Sequence, residues 1–297
     1  MKYIVKIGAE SLFSFDETSD EKAAVHFKKY LEDTKNSHTL DLYDDNEILI
    51  ASTNSFLNKY VSIPTEEWNR LSSIEQIDPR SPTCDNQTIY FDMDGVLAKW
   101  GSGSSTSEMP TEDEIFDIKN HYFKKVKVDK CAKTLFDVLA DKGYDVCIIS
   151  NADKDTIPDK YFWLKENFPD IKDEQIFFAP LDADKTKFVK GNADVSVLID
   201  DLTANLTKWE EQGGKGIKYL NGFNGRNFPS ISFLDLEKRM QLFDEAVSKD
   251  KNNMFAEIQE RQLTSALYRA VKNAVEKIED ALERIPYVLN NEKEPGR

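Results

Sequence analysis

Three short apolar runs, each ending in polar or acidic residues, constrain this chain more than any other feature. Thr88-Ile89-Tyr90-Phe91 runs into Asp92-Met93-Asp94-Gly95. Asp145-Val146-Cys147-Ile148-Ile149 runs into Ser150-Asn151, and Val195-Ser196-Val197-Leu198-Ile199 into Asp200-Asp201. Such runs are too short for helices and are rich in β-formers, so they read as buried strands. Between them lie helical segments, 129–142 stopped by Gly143 and 202–212 stopped by Gly213-Gly214. Strand and helix in alternation build a parallel α/β sheet. Ligands of such sheets bind beyond the carboxyl ends of the strands, which is where these acids fall.

The residue types at those ends suggest chemistry. Asp92 and Asp94 share one turn, and two carboxylates in one crevice repel unless a cation or a proton lies between them. Oxygen ligands at a strand end suit Mg²⁺. Gly95 lets the backbone turn sharply beside a ligand. The plain alternative is an acidic turn, since Asp and Gly are ordinary turn residues. Ser150 offers a hydroxyl to an anion, or merely caps a helix. Asp184-Lys185-Thr186-Lys187-Phe188-Val189-Lys190-Gly191 carries three lysines, of which one would offset phosphoryl charge and the rest would be solvated. Asp200 and Asp201 are neighbours, so in an extended chain their side chains face opposite ways. One is expected at a metal and the other behind it.

Asp92-Met93-Asp94-Gly95-Val96-Leu97-Ala98, with Ser150, Lys185 and Leu198-Ile199-Asp200-Asp201 in that order, resembles the motif set of the haloacid-dehalogenase (HAD) superfamily of phosphotransferases. The resemblance implies a Rossmann-like core with helices on both faces of a parallel sheet. It implies that Asp92 is a nucleophile forming an aspartyl-phosphate and that Asp94 is the general acid and base. Ser150, Asn151 and Lys185 (with Lys187 as the alternative lysine) would hold the phosphoryl group. Asp92, the Asp94 carbonyl and Asp201 would hold Mg²⁺, with Asp200 in support. Within the superfamily the stretch is most similar to the 5′(3′)-deoxyribonucleotidases and the 5′-nucleotidase type C family. Asp-Met-Asp-Gly-Val-Leu-Ala, Lys160-Tyr161-Phe162-Trp163 and Leu-Ile-Asp-Asp carry that likeness. It implies a small phosphorylated substrate such as a nucleoside monophosphate. Two departures stand out: only about 99–123 is available for a cap, and Leu202 follows the paired acids where relatives often carry Arg. A small cap leaves the site open to bulkier substrates. Trp100 and Tyr122 are candidates for stacking on a base, or for local packing. The rival readings are a phosphatase on a nucleic-acid end or phosphoprotein, and a non-catalytic binding module that keeps the fold.

Around this middle, residues 1–85 read as a small α+β accessory module. Tyr3, Val5 and Ile7 alternate as in a strand. Thr18-Ser19-Asp20-Glu21 is a capping-box pattern opening a helix to about Glu32. Leu40–Tyr43 and Ile48–Ala51 read as a hairpin, and 65–71 as a short helix. Asp78-Pro79-Arg80-Ser81-Pro82 has a linker's composition. The core is expected over 86–230 and a helical segment with a disordered tail over 231–297. There Leu263, Leu267, Val271, Val275, Ile278, Leu282 and Ile285 form an amphipathic stripe ended by Pro286. It would pack on the rest of the chain, or mediate a homodimer or a partner protein.

Composition bounds the functions. Of 297 residues, 54 are acidic and 39 basic, a net charge of −15 that disfavours a nucleic-acid scaffold. No run is long enough to span a membrane, and Met1–Lys6 lacks the apolar stretch of a signal peptide. The three cysteines, Cys84, Cys131 and Cys147, form no disulfide framework or zinc spacing. A cytoplasmic setting is the expectation.

Overall fold

The computed structural model describes residues 1–8, 10–35, 38–71, 87–100, 109–189, 193–249 and 255–285. The linker expected at 78–82, Cys84, the polar run 101–107, Lys190-Gly191, Pro286 and the tail after Tyr287 lie outside these residues.

The strands are β1 (Lys2–Ile7), β2 (Glu10–Asp16), β3 (Asp41–Tyr43), β4 (Leu49–Ser52), β5 (Thr88–Phe91), β6 (Asp145–Ala152), β7 (Ile176–Pro180), β8 (Ser196–Asp200), β9 (Lys215–Leu220) and β10 (Ser230–Ser232). The helices are α1 (Asp20–Thr34), α2 (Ser55–Val61), α3 (Thr65–Arg70), α4 (Glu112–Phe116), α5 (Tyr122–Lys125), α6 (Lys130–Asp141), α7 (Ile157–Asn167), α8 (Thr203–Glu211), α9 (Leu234–Lys249) and α10 (Ala256–Glu283). The strands form a four-stranded sheet in the order β2-β1-β3-β4 and a six-stranded sheet in the order β10-β9-β8-β5-β6-β7. The pairings β5–β6, β5–β8, β8–β9 and β9–β10 are parallel, as the alternating strand–helix pattern predicts.

By packing, the chain divides into two compact units that do not follow chain order. The first takes Met1–Glu75, Gly101–Val126 and Asn151–Ala183; the second takes Gln76–Trp100, Lys127–Ser150 and Asp184–Arg297.

In the first unit, Tyr3, Val5, Leu40 and Leu42 of the antiparallel sheet close on Ala23 and Phe27 of α1. Ser19, not Thr18, caps α1, accepting from Lys22 N. Residues 1–75 also pack on later stretches of the same unit. Phe56 stacks on Tyr161 at 4.9 Å, and Trp68 Nε1 donates to the Ala152 carbonyl at 3.1 Å. His121 bonds Asp159 at 2.8 Å through Nδ1 and Glu47 through Nε2.

The second unit holds β5 between β6 and β8. From β5 the chain passes to β6 on one side and returns to β8 on the other, so the strand order reverses at β5. Such a switch point is where the crevice of an open α/β sheet opens. The C-terminal stripe is partly spent here. Val271, Val275, Ile278, Leu282 and Ile285 are buried, and α10 packs on α6, β8 and β9. Leu263 and Leu267, nearer the start of α10, are only half-buried.

Candidate active site

Within the second unit, the acids predicted at strand ends come together. One carboxylate oxygen from each of Asp92, Asp200 and Asp201 lies within 4.8 Å of the others, and all three residues are buried. Asp92 follows β5, where its backbone N–H donates to the Ile199 carbonyl of β8 at 2.9 Å. That bond ties the two strand ends together. Beyond it the loop folds tightly, with Ala98 N donating to the Met93 carbonyl and Gly95 N to the Ala98 carbonyl, each at 2.8 Å. Gly95 sits at φ +74°, and a Cβ there would lie 2.2 Å from both Asp201 Oδ2 and Trp100 Nε1. Only glycine lets the loop turn this close to the acids.

Each acid has a different surrounding. Asp92 Oδ1 accepts from Met93 N at 2.7 Å and faces Lys185 Nζ at 2.9 Å. Its Oδ2 accepts no hydrogen bond among the described residues. Asp200 is fully engaged: Oδ2 takes Lys185 Nζ at 2.7 Å and Asn205 Nδ2 at 2.9 Å, and Oδ1 takes Leu202 N at 2.7 Å. Asp201 is half engaged. Trp100 Nε1 and Asn221 Nδ2 both donate to Oδ2, at 3.0 and 2.7 Å, while Oδ1 is buried with no hydrogen-bond partner. Asp94 is less enclosed and accepts from Ser150 Oγ at 3.2 Å.

Lys185 is the lysine of this cluster. It begins a short 3₁₀ turn, Lys185–Lys187, capped by Asp184, and its ammonium is buried between Asp92 and Asp200. Lys187 is half-buried. Asn151, expected at the phosphoryl group, donates its side-chain amide to the Pro180 and Ala183 carbonyls at 2.7 and 3.1 Å.

The electrostatics follow from burial. Burial pushes the Asp92 carboxyl well above its usual range; Lys185 pulls it down, and Asp200, Asp94 and Asp201 push it up further. Burial and then Asp200 push Asp201 up to about 7, against the pull of Trp100, Lys185 and Asn221. Burial pulls the Lys185 ammonium down, but Asp200 and Asp92 outweigh it and hold it above its usual range. With all three acids ionised, the one buried cation leaves negative charge in excess. A further cation fits here: the donors are all oxygens, which suits a hard divalent ion, and Asp201 Oδ1 lacks a partner that burial ordinarily demands.

Several participants escaped the sequence. Trp100, a candidate for base stacking, instead donates to Asp201. Asn221 and Asn224 come from the turn after β9; Asn224 Nδ2 donates to the Asp201 carbonyl at 3.0 Å. The available signal was a strand, Lys215–Leu220, followed by polar Asn221-Gly222-Phe223-Asn224 at the same edge of the sheet. The Lys160–Trp163 stretch is structural: Lys160 Nζ donates to the Asn151 carbonyl and Trp163 Nε1 to the Val126 carbonyl, both at 2.8 Å.

The chain matches no protein-family model and no curated protein. Among solved structures it is similar to a HAD family hydrolase from Deinococcus radiodurans R1, whose crystal holds phosphate and sodium. The identity is 13%, over 55% of this chain and 97% of that one, with a TM-score of 0.36. It is also similar to a hydrolase from Pseudomonas syringae, at 15% identity over 52% of this chain and 98% of that one, with a TM-score of 0.33. So distant a likeness identifies no activity.

Proposed function

We propose that this chain is a metal-dependent phosphomonoester hydrolase of the HAD type, acting through an aspartyl-phosphate on Asp92. The observation that carries the reading is the buried cluster of Asp92, Lys185, Asp200 and Asp201 with one Asp201 oxygen unbonded.

Asp92, Asp201 and the backbone carbonyl of Asp94 would hold Mg²⁺, and Asp200 would fix Lys185 from behind. When bound, the ion would screen the phosphate and keep Asp92 ionised. Asp92, with Oδ2 free, attacks phosphorus; the bond to the substrate oxygen breaks, and Asp94 gives that oxygen its proton. Asp94 then takes a proton from water, the water oxygen attacks phosphorus, and the bond to Asp92 breaks to release phosphate. Lys185 offsets charge on the phosphoryl oxygens. Ser150, bonded to Asp94, orients the acid and offers its hydroxyl to the phosphoryl group. The finer reading, a nucleoside monophosphate, rests on the sequence resemblance of the Asp92–Ala98 stretch.

The test is phosphate release from nucleoside monophosphates and generic phosphomonoesters, with Mg²⁺, with EDTA, and with Asp92→Asn. Metal-dependent turnover that falls about 10³-fold or more in Asp92→Asn supports the mechanism. Turnover that survives the substitution overturns it. Metal binding without turnover on any substrate favours a non-catalytic module.

A further inference from the structure

In the second unit, α9 and α10 pack on each other, and much of this pair buries nothing. No residue from Glu237 to Lys249 or from Ala256 to Ala270 is buried, whereas Leu236 and the residues from Val271 onward join the core. The apolar seam of the pair, including Phe243, Leu263 and Leu267, is only half-buried. Four of the exposed large apolar side chains lie on these helices or just before α10: Leu242, Phe255, Ile258 and Tyr268, each 55–72% exposed.

A groove of about 520 Å³ runs along this pair, lined by Arg239 of α9 and by Ile258, Arg261, Gln262, Ser265 and Arg269 of α10. The α10 positions recur at spacings of three and four, so they share one helix face. None of the three guanidiniums has an ion pair among the described residues. In a chain of net charge −15, three unpaired arginines in one groove are a local reversal of sign. Exposed Arg, Tyr and Phe beside aliphatic side chains form the composition that anchors protein interfaces.

We propose that this groove is a docking site for an amphipathic helix of a partner protein, one that carries Asp or Glu beside its apolar stripe. Arg261 and Arg269 are two turns apart, about 12 Å along α10. A helix lying alongside repeats its side chains at the same interval, so acids two turns apart meet both arginines while its apolar stripe covers Leu242 and Ile258. Single-stranded nucleic acid fits less well: it makes no use of the aliphatic side chains, and the net charge of the chain repels it. A second copy related by a two-fold axis would set arginine against arginine. The inference does not depend on the proposed activity.

The test uses the full chain and fluorescein-labelled synthetic helical peptides, read by anisotropy. One peptide carries a leucine stripe flanked by glutamates two turns apart; its control has lysines in their place. A third probe is a labelled single-stranded oligonucleotide, and sedimentation reports self-association. Saturable binding of the glutamate peptide, weakened about tenfold or more by Arg239→Gln/Arg261→Gln/Arg269→Gln, supports the proposal. The variant's circular dichroism and phosphate release are expected to stay unchanged. Equal binding of both peptides, no effect of the triple substitution, or no binding at all overturns it. Tighter binding of the oligonucleotide assigns the groove to nucleic acid instead. Self-association lost in the triple variant assigns it to a second copy.

Discussion

The second unit holds two acid clusters, and they differ in what they leave over. The first is Asp92, Asp200 and Asp201 with Lys185; the second is Asp129, Cys131 and Glu237 with Lys99. Both are rich in carboxylates, and both keep a lysine. In the second cluster, charge is met from within. Asp129 takes the Cys131 and Ala132 amides at 2.9 Å and the Tyr219 hydroxyl at 2.8 Å. Glu237 Oε1 lies 2.8 Å from Lys99 Nζ, an ion pair out of hydrogen-bond alignment. Burial, then a hydrogen bond and charge from Asp129, push Glu237 up to about 7, so Glu237 readily holds a proton. Burial also pushes the Cys131 thiol up to about 12, far from thiolate ligand character. In the first cluster, Lys185 serves Asp92 and Asp200, and Asp201 Oδ1 has neither a donor nor a cation. Acidic residues alone do not distinguish a site from a structural network; what sets the first cluster apart is that Asp201 Oδ1 has neither a hydrogen-bond donor nor an ion-paired lysine, whereas Glu237 Oε1 has Lys99 beside it.

The comparison can be broken at its strongest point first. Lys185→Met leaves Asp92 and Asp200 buried without their cation and is expected to cost about 3–5 kcal/mol in urea unfolding. Lys99→Met is expected to cost less, because Glu237 takes up a proton instead. Equal losses would show that the two clusters are balanced alike.

Metal linkage gives the next contrast. Mg²⁺ at a hundredfold excess over Kd is expected to stabilise the wild type by about 2.7 kcal/mol, read as a shift in Tm. Asp201→Asn is expected to abolish that shift, and Glu237→Gln to retain it. The reverse pattern would move the ion to the second cluster. Asn221→Ala loosens Asp201 without touching its charge, and a Mg²⁺ affinity about 10–100-fold weaker is expected from calorimetric titration.

The smallest effect is in pH. The folded-state pKa of Glu237 is raised from 4.5 to about 7, so the folded protein holds the extra proton between those values. Stability from this group is present below about 4.5 and is lost as pH rises toward 7. The groups facing Glu237 are Asp129, Lys99, Cys131 and Tyr219. Glu237→Gln is expected to flatten the fall in stability across that window, measured by urea unfolding at a series of pH values. An unchanged slope would mean Glu237 is ionised in the fold.

The short edge strand β10 of the parallel sheet was not legible, whereas the central strands β6, β5 and β8 were, because buried strands advertise themselves locally, by unbroken apolar runs such as Leu198-Ile199. The same holds for α6, whose Asp129 cap and Gly143 stop frame it. The strand β2 and the helix α2 were not legible. At the edge of its sheet β2 is mostly exposed, so Leu12, Phe13 and Phe15 carry no clean alternation. The seven residues of α2 are too few to show a helical period.

What the sequence by itself determined is which side chains stand at the carboxyl ends of β5, β6 and β8. That follows from strand length and alternation, which are properties of neighbouring residues. What only the tertiary structure decided is how those side chains differ. Asp200 and Asp201 are adjacent and identical in chemistry. One is saturated by Lys185, Asn205 and Leu202, and the other is held on one oxygen by Trp100 and Asn221. Trp100 is 101 residues away along the chain, and Asn221 reaches Asp201 from the turn beyond another strand. Which oxygen remains unbonded is set by donors that only folding brings near, and burial makes that difference count.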